Sequence, residues 1–148
     1  MSLKDRISED VKQAMRAGDK PRLTTLRMIT AAIKQREVDE RIELDDAAVL
    51  AIVEKMIKQR RESAEQYRAG QRPELAEAEE AEIEFLKVYL PEPLDEAALD
   101  AIIDEAVTEA GASAMSAMGA VMALVKPRVQ GQAEMRDVSA RVRSKLTS

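Results

Sequence analysis

The sequence predicts an all-α fold, with an N-terminal four-helix domain followed by a smaller three-helix C-terminal domain. Apolar residues recur at helical spacing along most of the 148 residues. Only three residues are aromatic, which favours a core of packed aliphatic helices over a sandwich or barrel. Residues that can cap a helix occur where helices are expected to begin, and glycines occur where helices are expected to end.

Four helices are expected in the N-terminal part of the chain. Ser2, Asp19 and Asp45 each precede an apolar stripe and can cap the first turn of a helix. Pro73 suits the first turn of the fourth helix, since its missing N–H is not needed there. The charged, irregular stretch 38–44 predicts a loop. The expected helices span 2–18, 19–37, 45–70 and 73–89.

Pro91 and Pro93 break the helical pattern, because proline lacks the amide hydrogen and disfavours helix in the preceding residue. We therefore place a domain boundary here, with an N-terminal domain at 1–90 and a C-terminal domain at 91–148. The fifth helix is expected to run from Asp95 to Gly111. The sixth begins at Ser113 or Ser116 and is ended by Pro127 and Gly131, and the last runs from about Met135 to Leu146.

The composition excludes several classes of chemistry. Histidine and cysteine are absent, which excludes a Ser-His-Asp triad, a cysteine nucleophile, a disulfide framework and a Cys/His zinc site. The glutamates at 77–84 lack the histidines of helical iron sites, and no glycine-rich phosphate loop occurs. We therefore predict no catalytic residue, no metal ligand and no cofactor. No apolar run approaches the roughly 18 residues of a membrane span, so we expect no membrane partner and a cytoplasmic location.

The net charge of −5 conceals three zones. Residues 1–72 carry 16 Lys and Arg against 13 Asp and Glu, and residues 73–109 carry one against 13. Residues 110–148 carry six against two. Solvated helix faces would account for this pattern, as would a basic tail that meets a polyanion or an acidic partner.

A polar pair is expected inside the N-terminal domain. Arg60 falls within the apolar stripe of the third helix, and Glu79 and Glu82 fall within that of the fourth. Counting outward from the turn near Gln71 places Arg60 opposite Glu82 in an antiparallel helix pair. We predict a structural ion pair between Arg60 and Glu82 or Glu79, which would fix the helix register. The alternative is an arginine that binds a phosphate.

The basic tail supplies candidate nucleic-acid contacts, because Lys and Arg bind phosphates. The chain has too few aromatic residues to stack single-stranded bases, so a folded duplex is the expected ligand. The cations of the last helix flank its apolar stripe. In that position they can instead cover the core with their aliphatic stems. The candidates are Lys126, Arg128, Arg136, Arg141, Arg143 and Lys145.

An alternative function is a protein–protein adaptor that does not bind nucleic acid. It would use the acidic 73–109 surface or the methionines Met115, Met118 and Met122 of the sixth helix. Methionine can form an adaptable groove for a partner helix, but at this spacing it also suits an ordinary core.

Several segments together resemble the GatB/YqeY family over essentially the whole chain, and their combination is specific. They are KQRRES at 58–63, YRAGQRPELA at 67–76, EIEFLKVYLP at 82–91, LRM at 26–28, GASAM at 111–115 and MG at 118–119. The resemblance implies a stand-alone YqeY-like protein with two helical domains. It also implies that the C-terminal part is similar to the tail of the B subunit of glutamine-dependent tRNA amidotransferases, which helps to hold tRNA.

The same resemblance implies the family-level activity of a carbon–nitrogen ligase with glutamine as amide donor. It covers a substrate-holding tail and not a catalytic body, and similarity of fold does not transfer activity. We therefore expect a non-catalytic translation accessory protein, with tRNA and an amidotransferase or other translation proteins as partners. In the turn 131–136, Gln132 replaces a cation that the family commonly has, and Met135 replaces a glycine.

Overall fold

The computed structural model describes residues 1–111 and 115–147, and over these residues the protein is all-helical, as predicted. The described residues contain no β-strand, and a short 3-10 turn precedes the sixth helix. In chain order the helices are α1 (Leu3–Ala17), α2 (Lys20–Glu40), α3 (Asp46–Ala69), α4 (Pro73–Lys87), α5 (Glu96–Ala110), α6 (Met118–Val129) and α7 (Met135–Thr147). The chain divides into two compact units, Met1–Leu90 and Pro91–Ser148.

The predicted capping residues begin their helices through side-chain hydrogen bonds. Ser2 Oγ accepts from the Asp5 amide, and Asp45 Oδ1 accepts from the Ala48 amide. Asp19 and Asp95 cap α2 and α5 in the same way. Gly18 and Gly111 follow α1 and α5 at φ of 66° and 65°, a left-handed conformation that other residues adopt at a cost.

The second helix is longer than predicted, because it continues through the first half of the expected 38–44 loop to Glu40. Arg41 ends it in the left-handed region at φ 55°. The Glu37 carboxylate then accepts hydrogen bonds from the Leu44 amide at 2.9 Å and from Lys4 Nζ at 2.7 Å. These bonds tie the shortened loop to α1 and lower the pKa of Glu37, chiefly through Lys4.

The sixth helix ends between the two residues that were expected to end it. It passes through Pro127 and continues to Val129, two residues before Gly131. Proline removes one backbone hydrogen bond, but Val125 and Val129 on either side of it are fully buried, and their packing keeps the helix intact. Of the two candidate caps, Ser116 lies in the 3-10 turn Met115–Ala117, and Ser113 lies outside the described residues.

Each unit has its own core. In the N-terminal unit, Leu26, Ile29 and Leu86 are among the fully buried side chains that α1–α4 enclose. Tyr89, beyond the end of α4, is 4% exposed, and its hydroxyl donates to Asp10 Oδ2 at 2.5 Å. In the C-terminal unit, five fully buried valines of α6 and α7 meet the apolar face of α5. These valines are Val121, Val125, Val129, Val138 and Val142.

No single described helix has both the length and the apolar character needed to cross a membrane. The segments Glu96–Ala110 and Met115–Val129 reach that length and composition only when taken together as a bent pair.

Candidate nucleic-acid interface

The carboxylates of α5 lie in two rows. Glu96, Asp100 and Asp104 are spaced by four residues, and so are Glu105 and Glu109. Residues four apart share one face of a helix, so each row presents its oxygens in one direction. In the sequence these acids belong to a zone separate from the basic tail, although their four-residue spacing is already visible there.

Two tail cations of α7 contact the first row. Arg141 Nη1 donates to Asp100 Oδ1 at 3.0 Å, and its Nη2 lies 3.0 Å from Glu96 Oε1. Lys145 Nζ lies 2.7 Å from Asp104 Oδ1. These hydrogen bonds raise the pKa of Arg141 and of Lys145, because a carboxylate favours the charged form of its partner. Both cations stay charged, but their charge is neutralised locally.

The second row binds a cation of α6. Arg128 Nη2 donates to Glu109 Oε2 at 2.6 Å, and its Nη1 lies 4.0 Å from Glu105 Oε1. The bond to Glu109 is the main cause of the raised pKa of Arg128. Three of the six candidate tail cations are therefore engaged within the unit itself. The same contacts occupy carboxylates of α5, which form part of the acidic 73–109 surface that an adaptor would use.

A shallow depression beside α7 does not offer a phosphate site. Glu96, Asp137, Ala140, Arg141 and Ser144 line it. Two of these residues are carboxylates, and the only cation among them is already bonded to Glu96. A phosphate placed here would meet like charge.

The other three candidate cations remain available. Lys126, Arg136 and Arg143 are exposed, and their side chains make no hydrogen bond or ion pair with the residues that the structure describes. Arg143 lies two residues, or about 200° of helix, beyond Arg141, and Arg136 is on the same side of α7 as Arg143. Lys126 lies two residues before Arg128 and is separated from it by the same angle. The three free cations therefore point away from the partners of α5, and we name them the tail flank.

Arg136 and Arg143 are seven residues apart on α7, which places them on one side of the helix at about 10.5 Å spacing. This distance exceeds the Debye length of about 8 Å at physiological salt, so the two charges repel each other little. Their arrangement suits contacts with separate phosphates of one backbone.

Arg60 lies between α3 and α4 with its side chain 13% exposed. Its Nε donates to Glu82 Oε2 at 2.8 Å, and its Nη1 donates to the Met56 carbonyl at 3.2 Å. Its Nη2 lies 3.1 Å from Met28 Sδ. Glu79 makes no ion pair with the described residues. Because each guanidinium nitrogen of Arg60 has an acceptor, the geometry favours a structural pair over a phosphate ligand.

The turn before α7 uses Gln132 as a structural residue. The Gln132 carbonyl accepts from the Leu94 amide at 2.9 Å, and its side-chain Nε2 donates to the Glu92 carbonyl at 3.1 Å. Gly131 supplies the positive φ of the turn at 76°, and Met135 begins α7. Gln132 thus joins this turn to the segment that leads into α5.

The methionines near the sixth helix contribute mainly to the second core, and the acidic residues form no metal site in the described part of the chain. Met118 and Met122 pack against the second core, whereas Met115 is 41% exposed. Within residues 1–111 and 115–147, no three carboxylates are grouped so that they could hold a metal ion.

Comparisons with known proteins identify a family and several relatives. A family model described as Yqey-like protein matches residues 4–146. The "Altered inheritance of mitochondria protein 41, mitochondrial" of Lachancea thermotolerans is 39% identical over 106 residues, which cover 70% of this chain and 57% of that protein. The protein of the same name from Pyrenophora tritici-repentis is 33% identical over 128 residues, covering 83% and 71%. That of Vanderwaltozyma polyspora is 35% identical over 85 residues, covering 57% and 46%. The chain thus spans 46–71% of the length of these three relatives.

The names of these relatives correct one expectation. They describe mitochondrial proteins, so the predicted cytoplasmic location is wrong. That prediction depended on composition and on the lack of an apolar run, which describe how a chain folds in water and do not specify its compartment.

The family model covers almost all of the chain, and the relatives are more than 30% identical to it. The protein therefore belongs to the YqeY-like family.

Proposed function

We propose that the protein is a non-catalytic accessory protein that associates with folded tRNA, as the likeness to the amidotransferase B-subunit tail implies. One observation supports this best: the tail flank of Lys126, Arg136 and Arg143 has no carboxylate partner among the described residues. Free Lys and Arg side chains bind phosphates and release counterions, which supplies most of the affinity for nucleic acid.

Catalysis in this system would then be carried out by other proteins. The chain has no histidine or cysteine to serve as an imidazole base or a thiolate nucleophile. Its role is to hold a substrate or a complex, with an amidotransferase or another translation protein as the catalytic partner. We expect the purified protein, supplied with glutamine and ATP, to release no ammonia.

The test is a titration of labelled tRNA with the full chain at several salt concentrations. We expect affinity to fall linearly in a log–log plot against salt. Replacing Arg136 and Arg143 by Gln should weaken binding on the order of tenfold and reduce the salt slope by about two, because each arginine neutralises one phosphate.

The matched control replaces Arg141 and Lys145 by Gln, which changes the net charge by the same amount on the same helix. Because α5 already neutralises these two cations, the control should retain most of the affinity and the salt slope. Equal losses in both variants would contradict the assignment to the tail flank. Failure of the wild-type protein to bind tRNA, with a protein partner retained from nuclease-treated extract, would favour the adaptor function.

A further inference from the structure

A second cationic surface lies on α2, in the N-terminal unit. Lys20, Arg27 and Lys34 are spaced by seven residues, and all three are exposed. Their side chains make no hydrogen bond or ion pair with the described residues. We call these three residues the α2 stripe.

The helix places the three side chains in line. Seven residues fall about 20° short of two full turns, so the three positions lie within about 40° of each other around α2. They lie roughly opposite Ile29, which is fully buried in the core. At 1.5 Å per residue the stripe is about 21 Å long.

The α2 stripe has no carboxylate on its own stretch of helix. Residues 20–34 contain no Asp or Glu. Arg22, the other cation within residues 20–34, has a side chain that is 27% exposed and lies 3.8 Å from Asp10 Oδ1 of α1. Farther along α2, the acids near its end have partners of their own, since Gln35 donates to Asp39 and Arg36 donates to Glu40.

We propose that the α2 stripe binds the phosphate backbone of a double-helical RNA, and this inference rests on the proposed association with folded tRNA. Double-stranded DNA carries roughly one phosphate per 1.7 Å of axis with both strands counted, so 21 Å of a comparable duplex carries about a dozen phosphates, and those on its near side can contact the stripe. The cations are about 10.5 Å apart, beyond the Debye length of about 8 Å, so each can contact a phosphate with little repulsion from the next.

The same geometry argues against other polyanionic ligands. A helix that lies on a membrane surface inserts a broad apolar face beside its cations. The apolar face of α2 is instead packed in the core, and its exposed large apolar side chains are Met28 and Val38. Single-stranded RNA would require aromatic residues for base stacking, and α2 has none. The regular row of cations is suited to a rigid, repeating backbone.

The experiment titrates the full chain against labelled tRNA, a blunt RNA duplex and poly-L-glutamate. The test variant carries Lys20→Gln, Arg27→Gln and Lys34→Gln. The matched control carries Lys12→Gln, Arg72→Gln and Lys87→Gln, three exposed cations that each already pair with a nearby glutamate. A third variant with Lys20→Arg, Arg27→Lys and Lys34→Arg retains the charges.

We expect the test variant to bind both RNAs at least tenfold more weakly, with a salt slope reduced by about three. The matched control and the charge-retaining variant should bind like the wild type. Equal RNA binding by the test variant and the matched control would overturn the α2 stripe as an RNA contact. A loss confined to poly-L-glutamate would overturn it in favour of an acidic protein partner.

The titrations distinguish a failure of the α2 stripe from a failure of the proposed association with tRNA. If the wild-type chain binds neither RNA, both proposals fail. If it binds tRNA and only the Arg136 and Arg143 variant is weakened, the α2 stripe alone fails. If only the α2 variant is weakened, the tail flank fails and the α2 stripe stands.

Discussion

The two units distribute their charges differently. In the C-terminal unit, carboxylates on α5 neutralise cations on α6 and α7, and half of the candidate tail cations are engaged in this way. In the N-terminal unit, the exterior of α2 carries a row of cations with no carboxylate between Lys20 and Lys34. A basic stretch of sequence is therefore a poor guide to free positive charge until the carboxylates of neighbouring helices have been located.

The two cores also differ. Among the large, fully buried side chains, the N-terminal unit has four Leu or Ile and two Val, whereas the C-terminal unit has one Ile and five Val, the latter all on α6 and α7. Valine is restricted at χ1 in a helix and favours helix less than leucine does. The valine-rich helices therefore depend more on tertiary packing than α1–α4 do.

The largest expected effect compares the two cores directly. Leu86→Ala should lower the free energy of unfolding by about 2–5 kcal/mol, because it removes a large buried side chain. Val142→Ala should cost less, about 1–2 kcal/mol, since it removes one carbon atom fewer and alanine favours the helix. Urea unfolding followed by far-UV circular dichroism measures both, with the exposed Val88→Ala as control. A larger loss for Val142→Ala would reverse the comparison.

A smaller effect is expected from the ion pair between α3 and α4. Arg60→Met should destabilise the protein by about 1–3 kcal/mol, because it leaves the half-buried Glu82 carboxylate without its partner. Glu79→Gln, the matched control, should change stability by less than about 0.5 kcal/mol. A double-mutant cycle of Arg60→Met with Glu82→Gln isolates the pair energy. A coupling near zero would show that this pair contributes no more than the surface pairs of the C-terminal unit.

The smallest expected effect concerns the hydroxyl of Tyr89. Tyr89→Phe should cost about 1 kcal/mol, because Asp10 loses a hydrogen-bond donor. The matched control, Tyr67→Phe, removes a hydroxyl that makes no hydrogen bond with the described residues. Equal losses in the two variants would contradict a specific role for the bond to Asp10.

Tyr89 also makes the free energy of unfolding depend on pH. Burial, and then the bond to Asp10, raises the pKa of Tyr89 above its ordinary value of 10.0. A raised folded pKa contributes stability that is complete below pH 10 and is lost as the pH rises beyond it. Urea titrations of the wild type above pH 10 should therefore show a decline that is reduced in Tyr89→Phe. An identical decline in both proteins would contradict this.

Features governed by neighbouring residues could be predicted from the sequence. The caps at Ser2, Asp19, Asp45 and Asp95 depend on bonds that reach three residues ahead. The position of Arg60 opposite Glu82 follows from counting along two helices joined by a short turn, and the structure places Nε and Oε2 2.8 Å apart. The choice between Glu82 and Glu79 required the actual rotation of α4.

Features governed by distant residues could not be predicted. Pro127 indicates a helix end when considered locally, but the buried faces of Val125 and Val129 keep α6 continuous. The engagement of Arg141 and Lys145 depends on acids about 40 residues earlier in the chain. The bonds of Gln132 likewise reach the segment before α5.

The sequence by itself determined the helical class and most of the helix ends, because apolar periodicity and capping act within a few residues of the chain. Only the tertiary structure decided which cations are free to bind a ligand. A cation stays available only if no carboxylate from another helix lies within a few ångströms. That distance is set by how α5, α6 and α7 pack on their shared core.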